Sequence, residues 1–309
     1  MLPRHLDRYA LAGLLAILLW SSTVAVARSL SEQLGARTAM AAVYLTGAFA
    51  FCVRAWCTGQ PVIDLRGAGR AYLFGCGGLF VFYTYALFQS VALAGNRMQV
   101  LEVGMLNYLW PTLTLLLSLV LLNRRATWLL APGTALALSG EFLVLSHEGG
   151  FSWIGAFSHV QARPAAYGLG LAAGVSWALY STLTRRWSGP ETRGAVPVFV
   201  AATGLLMLAL RLAAGERSTW TWQAGAEIAF LGSATATAYS AWDLAMRRGN
   251  VVLIAAASYF TPLLSTLVSC LYLGVVPGAR LWVGCAILIA GSLLSWHSVH
   301  TRDNRNDRE

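Results

Sequence analysis

The sequence predicts an all-α polytopic membrane protein whose ten transmembrane helices form two inverted five-helix repeats. Composition is the first ground. Of 309 residues 57% are apolar and only 11% charged, with a mean hydropathy of +0.60, against roughly 25% charged residues in a soluble domain. An internal repeat is the second. Residues 9–75 match residues 166–232 at a constant offset of 157, so that Gly13, Leu14, Ala16, Trp20 and Arg28 recur as Gly170, Leu171, Ala173, Trp177 and Arg185. Thr46-Gly47, Arg54 and Gly75 recur as Thr203-Gly204, Arg211 and Gly232; after a six-residue drift Tyr108, Pro111, Gly133 and Gly140 recur at offset 151 as Tyr259, Pro262, Gly284 and Gly291. The third is span length: a helix needs ~20 apolar residues to cross hydrocarbon, and ten such stretches fall five to a copy. An odd number of crossings forces the second copy to be inverted.

The first span covers about 9–28. Arg4, Arg8 and Ala25-Val26-Ala27 imitate a cleavable leader, but the run is long for one, and Trp20 and Arg28 have repeat mates. The second span, 38–57, carries Tyr44, and the third, 70–93, carries Phe82, Tyr83 and Tyr85. The fourth, 99–122, opens near Glu102 and is interrupted by Pro111; the fifth, 127–146, is Gly/Ala-rich. Residues 1–146 thus form the first repeat. Residues 147–163, with Phe151, Trp153, Ile154 and Phe157, are too short and broken to span and are expected to lie at the interface as a connector. Residues 164–300 form the inverted second repeat, with spans at 165–185, 194–213, 225–246, 251–273 and 280–299. The tail, 301–309, is charged and is expected to be disordered.

The net charge of +9 comes entirely from arginine. A basic chain suggests nucleic acid, but these arginines sit singly or in pairs at span ends, where they have a membrane explanation. Grouping alternate loops with the termini puts fifteen of the 22 arginines on one side, which the positive-inside rule makes cytoplasmic. Cys52, Cys57, Cys76, Cys270 and Cys285 lie in or beside apolar spans without CxxC spacing and read as small packing residues.

Polar side chains at membrane depth are costly and tend to face a bundle interior or cavity. Asn107, Trp110, Thr114 and Ser118 share one helical face, and their mates Ser258, Thr261, Ser265 and Ser269 repeat its spacing. Proline removes a backbone hydrogen bond, so Pro111 and Pro262 are expected to free the carbonyls of Asn107 and Ser258. Broken helices at matching positions of two halves point to a transport site; close helix packing is the plainer use of such hydroxyls. Trp20, Tyr44, Phe82, Tyr83, Tyr85, Tyr108, Trp110, Trp177, Tyr180, Tyr239, Trp242 and Tyr259 also fall within spans. An aromatic pocket with a few polar groups suits a flat apolar ligand; ordinary packing accounts for about half of such rings. Three acids remain. Glu102 and Asp243 are candidates for proton coupling or for pairing with a nearby arginine, and Glu141, beside Gly140, reads as a packing position.

The five histidines avoid the deep membrane, and there is no HExxH sequence, Cys/His cluster, P-loop or GxSG-like serine sequence within a span. A zinc enzyme and an ATP-driven pump are therefore poor readings, no cofactor is implied, and the missing glycine filter weakens a channel.

At Glu102-Val103-Gly104-Met105-Leu106-Asn107-Tyr108-Leu109-Trp110-Pro111 the chain resembles the YddG-type aromatic amino acid exporters, EamA-like members of the drug/metabolite transporter superfamily. Leu15–Ser21, Ser31–Gly35, Gly249-Asn250-Val251 and Ser258–Pro262 extend the resemblance almost end to end. It implies an inner-membrane exporter of phenylalanine, tyrosine and tryptophan working by alternating access. Many relatives in the wider superfamily carry a Gly-Glu pair late in the fourth and ninth helices; here those regions read Leu122-Asn123-Arg124 and Leu273-Gly274-Val275. On this reading Tyr108, Trp110, Tyr239, Trp242 and Tyr259 grip the ring. Asn107, the carbonyl freed by Pro111, Ser258 and Thr261 bind the polar end, and Trp20 and Trp177 line the cavity or its gates. The partners are a small-molecule substrate and the bilayer, with the chain a monomer. The rivals are a transporter of cationic drugs or nucleotide sugars, a passive channel and a membrane enzyme. A nucleotide sugar calls for cavity lysines or arginines, yet there is no lysine and few arginines fall mid-span.

Overall fold

The computed structural model describes residues 7–145, 153–189, 192–273 and 278–300. The tail, the first part of the connector and the segment at 274–277 lie outside the described residues. The chain is built of helices, because hydrocarbon offers backbone groups no partner and a helix satisfies its own.

Helix α1 (Arg8–Leu34) starts where the Asp7 carboxylate accepts from the amides of Tyr9 (3.1 Å) and Ala10 (2.8 Å). It bends by 46° between Thr23 and Val26. Gly35 alone joins it to α2 (Ala36–Thr58); its φ of 80° is one that glycine tolerates. The free amides at the start of α2 find a remote cap in Glu216, which accepts from the Thr38 amide at 2.8 Å and its hydroxyl at 2.9 Å. A π-helical turn, Ala71–Cys76, runs directly into α3 (Gly77–Leu93).

The fourth apolar stretch is broken, as its proline predicts. Helix α4 (Arg97–Asn107), capped by Asn96, ends at Tyr108-Leu109, and α5 (Trp110–Leu121) restarts with Pro111 in its first turn. There follow α6 (Leu130–Leu145), the connector helix α7 (Trp153–Ala162) and α8 (Pro164–Trp187). Helices α9 (Val196–Ala214) and α10 (Trp222–Arg248) come next. The second break matches the first: α11 (Val251–Ala257), capped by Asn250, gives way at Ser258-Tyr259 to α12 (Phe260–Leu273). Helix α13 (Ala279–Ser298) ends beside the start of α6, where Arg125–Ala126 and Val299–His300 pair antiparallel over two residues.

Among the described residues five helical stretches are long and apolar enough to cross a membrane, and bent α1 makes a sixth. The sequence reading expected ten. Helices α8 and α10, at 24 and 27 residues, have ample length but low hydropathy. Their polar residues explain it: Ser176, Ser181, Thr182, Thr184, Asp243 and Arg247 all point inward.

The main core joins α1, α2, α3, α8, α9 and α10. A smaller one at the α5–α6–α11–α13 contact holds Leu115, Leu130, Ala137, Tyr259 and Leu288. Helices α6 and α13 pack backbone to backbone: a Cβ at Gly140 would collide with the Leu288 backbone, and one at Gly291 with that of Ala137. Overpacking costs about 1–3 kcal/mol. Gly291→Leu is therefore expected to lower the thermal midpoint of the detergent-purified protein by several degrees. Gly168→Ala, with open space around it, is expected to leave the midpoint unchanged or raise it.

Candidate functional site

Trp177 of α8 is the hub of a closed aromatic cluster. Its ring lies 4.6 Å from Tyr83, 4.9 Å from Tyr180, 5.6 Å from Trp20 and 5.7 Å from Tyr239, centroid to centroid. Trp242 stacks at 6.0 Å, and Trp110 meets Trp177 and Trp242 edge-on. Trp177, Trp242 and Tyr180 are fully buried. The polar tips have partners inside the cluster: Trp242 Nε1 donates to Ser181 Oγ at 3.2 Å, and the hydroxyls of Tyr44 and Tyr239 share a hydrogen bond of 3.0 Å. Aromatic pairs add about 0.5–1.5 kcal/mol beyond burial, so the cluster is both a structural core and a surface suited to a further ring.

Of the predicted aromatics, the structure brings Trp20, Tyr44, Tyr83, Trp110, Trp177, Tyr239 and Trp242 together. Tyr108 and Tyr259 lie elsewhere. Tyr259 is buried in the smaller core, its hydroxyl 2.6 Å from Thr112 Oγ1. Tyr108 sits in the break between α4 and α5, within electrostatic reach of both Tyr83 and Glu141. Phe80 and Phe199 belong to the cluster but were missed, and Tyr180, read as lying within a span, was not placed in the site. Phe80 precedes Tyr83 by three residues and Tyr180 follows Trp177 by three, a helical spacing that was available to find them.

Three of the six hydroxyls of the polar stripes bond to carbonyls of their own helices. Thr114 Oγ1 donates to the Trp110 carbonyl, Ser118 Oγ to that of Leu115 and Ser258 Oγ to that of Ile254. Proline does not free the Ser258 carbonyl as expected, because the chain tightens there and the Thr261 amide donates to it at 3.0 Å. The Asn107 carbonyl lies against Gly174 of α8, where a Cβ would come within 2.8 Å. Two buried side-chain atoms of the stripes, Asn107 Oδ1 and Thr261 Oγ1, have no hydrogen-bond partner among the described residues. The Ser269 side chain lies outside the described residues.

The acids are differently placed. Asp243 pairs with Arg247 at 2.6 Å, both buried, and accepts from Tyr72 at 2.7 Å. Arg247 also donates to the carbonyls of Thr192 (2.5 Å) and Arg193 (3.2 Å), tying α10 to the segment before α9. Asp243 lines a cavity of about 710 Å³ together with Arg54, Asp64, Arg193 and Arg248. Glu102 accepts from Tyr167 and lies 3.1 Å from His159 Nδ1 on α7. Glu141 is buried with both carboxyl oxygens unpartnered.

The EamA-like transporter family model matches residues 7–146 and 164–296. The aromatic amino acid exporter YddG of Salmonella typhimurium is 34% identical over 96% of this chain and 99% of its own length. The exporter of the same name in Escherichia coli K12 is 33% identical over 94% and 97%, and that of Ancylobacter novellus 31% over 92% and 96%. A solved crystal structure, 28% identical, superposes with a TM-score of 0.77 over 94% of this chain and 97% of its own.

Removing one partner of a buried ion pair typically costs 3–5 kcal/mol. Arg247→Ala is therefore expected to reduce the yield of folded protein sharply. Asp243→Asn with Arg247→Leu is expected to recover most of it, as monitored by size-exclusion profile and thermal midpoint.

Proposed function

The chain belongs to the EamA-like transporter family, and we propose that it exports aromatic amino acids by alternating access across a bacterial inner membrane. The observation that carries the reading is the aromatic cluster, in which the repeat mates Trp20 and Trp177 meet at 5.6 Å. The names of three near-full-length relatives supply the substrate class. In this reading Trp20, Trp177, Trp110, Tyr239 and Trp242, with Tyr44 and Tyr83, part to admit the ring. Asn107 Oδ1 accepts from the substrate's ammonium, and the Thr261 hydroxyl donates to its carboxylate. Pro111, Pro262, Ser258, Tyr108 and Tyr259 shape the helix breaks. Proton coupling through Glu102 or Asp243 requires either carboxylate to leave its partners during the cycle. The protein acts as a monomer without cofactor, as a transporter and not an enzyme.

We read the fold as ten spans in two inverted halves, and the packing supports this. Exchanging each helix for its repeat mate maps one contact onto another. Helix α1 lies on α10 and on α12, as α8 lies on α3 and on α5, while α2 with α9 and α6 with α13 pair mate with mate. Gly13 abuts Ile254 as its mate Gly170 abuts Val103, and Val103 and Ile254 are themselves mates. By the positive-inside rule we read the side that carries Arg54, Arg193 and Arg248 as cytoplasmic, with both termini.

In proteoliposomes the chain is expected to take up labelled tryptophan saturably and in competition with phenylalanine; conductance without saturation would mean a channel. Trp177→Ala is expected to cut tryptophan transport at least tenfold, about 1.4 kcal/mol. Asn304→Cys in a cysteine-free background is expected to react with an impermeant maleimide only after cells are opened.

A further inference from the structure

The geometry points to a second ligand site, separate from the aromatic cluster: a membrane-depth pocket that takes an amphiphilic primary amine, with its ammonium on Glu141. The pocket, about 650 Å³, lies where α4, α6, α7 and α8 meet. Its wall is almost wholly apolar, with Met105 and Leu106 from α4, Leu109 from the break after it, Leu138 and Phe142 from α6 and Val160 from α7. Two carboxyl groups interrupt it. Glu102 is engaged by Tyr167 and His159. Glu141 is 5% exposed, and neither of its oxygens has a hydrogen-bond partner among the described residues. The phenols of Tyr108 and Tyr259 lie within electrostatic reach of Glu141, but the Tyr259 hydroxyl is held by Thr112.

A buried polar group without a partner costs free energy, and an acid at membrane depth is a site by default. In the second half the equivalent position is closed by a hydrogen bond. The mate of Glu141 at offset 151 is Ser292, whose hydroxyl donates to the Ala256 carbonyl at 2.7 Å. Glu141 therefore departs from the symmetry where a hollow opens beside it. The missing partner is a donor, and a cationic donor matches a carboxyl best. An amino acid is a poor occupant, because its carboxylate would meet two acids and the one histidine already engaged by Glu102. An amine lacking the carboxylate fits, its apolar body along Leu106, Leu109 and Leu138.

The test is binding of labelled tryptamine and of tryptophol, its neutral alcohol counterpart, to the full chain in nanodiscs. Wild type is expected to favour the amine at least tenfold, and Glu141→Gln to lose that preference while keeping tryptophan transport. Saturating tryptophan is expected to leave amine binding in place. Equal binding of amine and alcohol to wild type would overturn the proposal in favour of a lipid-like apolar pocket; complete displacement by tryptophan would assign the amine to the central cluster. A second readout needs no variant. Dicyclohexylcarbodiimide is expected to modify Glu141 in wild type, with tryptamine suppressing the adduct, and no suppression would count against the site. The Glu141 measurements do not depend on tryptophan transport, so either reading can fail alone.

Discussion

In hydrocarbon no water stands ready to replace a lost hydrogen bond, and that constraint organises the interior of this protein. Arg247 is acceptable at 8% exposure because Asp243 and two backbone carbonyls take its donors. Glu102 is acceptable because the connector helix and α8 bring it a histidine and a phenol. Serine and threonine hydroxyls along the broken helices fold back on carbonyls one turn earlier. Against so complete an accounting, the exceptions carry information. Among the described residues Asn107 Oδ1 and Thr261 Oγ1 stand unpartnered at the broken helices, and both carboxyl oxygens of Glu141 stand unpartnered beside an apolar hollow. Among the described residues the hydroxyls of Thr127 and Ser295 are also without hydrogen bonds, but a hydroxyl is a far smaller cost than a carboxyl.

Repetition explains how two halves close on one centre. Trp20 and Trp177 occupy equivalent positions, and the exchange of halves brings them face to edge at 75°. The glycines that recur at Gly140 and Gly291 let α6 and α13 approach to backbone contact. The symmetry is incomplete where chemistry differs. Arg247 and Asp243 have no counterparts of the same type at the mated positions, and Glu141 is answered by Ser292. These departures fall on the cavity that Asp243 lines and on the lateral pocket.

Much of this was legible in the sequence. The family followed from the string around Pro111, and the helix breaks from the two prolines. Seven cluster aromatics followed from their depth within spans. What escaped has physical reasons. Tyr259 sits at the right depth but packs in the smaller core, and Tyr108 falls in the helix break itself; depth alone carries no azimuth. Phe80 and Tyr180 show the reverse case, since their spacing to Tyr83 and Trp177 would have given the face. The Asp243–Arg247 pair was readable as an i, i+4 contact. The partners of Glu102 were not, because they lie 57 and 65 residues away. The free carbonyl expected at Ser258 failed because a backbone can tighten by one residue and recover its donor. Glu141 was passed over because its Gly/Ala-rich surroundings resemble simple packing; only the geometry shows that nothing answers it.

The central claim is that the rings around Trp177 open to seat an aromatic amino acid between the halves. The most direct measurement is a structure of the full chain determined by electron cryomicroscopy with tryptophan bound. The account predicts an extra indole between Trp20, Trp177 and Tyr239, with its amino acid end at Asn107 and Thr261. Density for tryptophan beside Tyr108 or Tyr259, with the Trp177 cluster still closed, would contradict it.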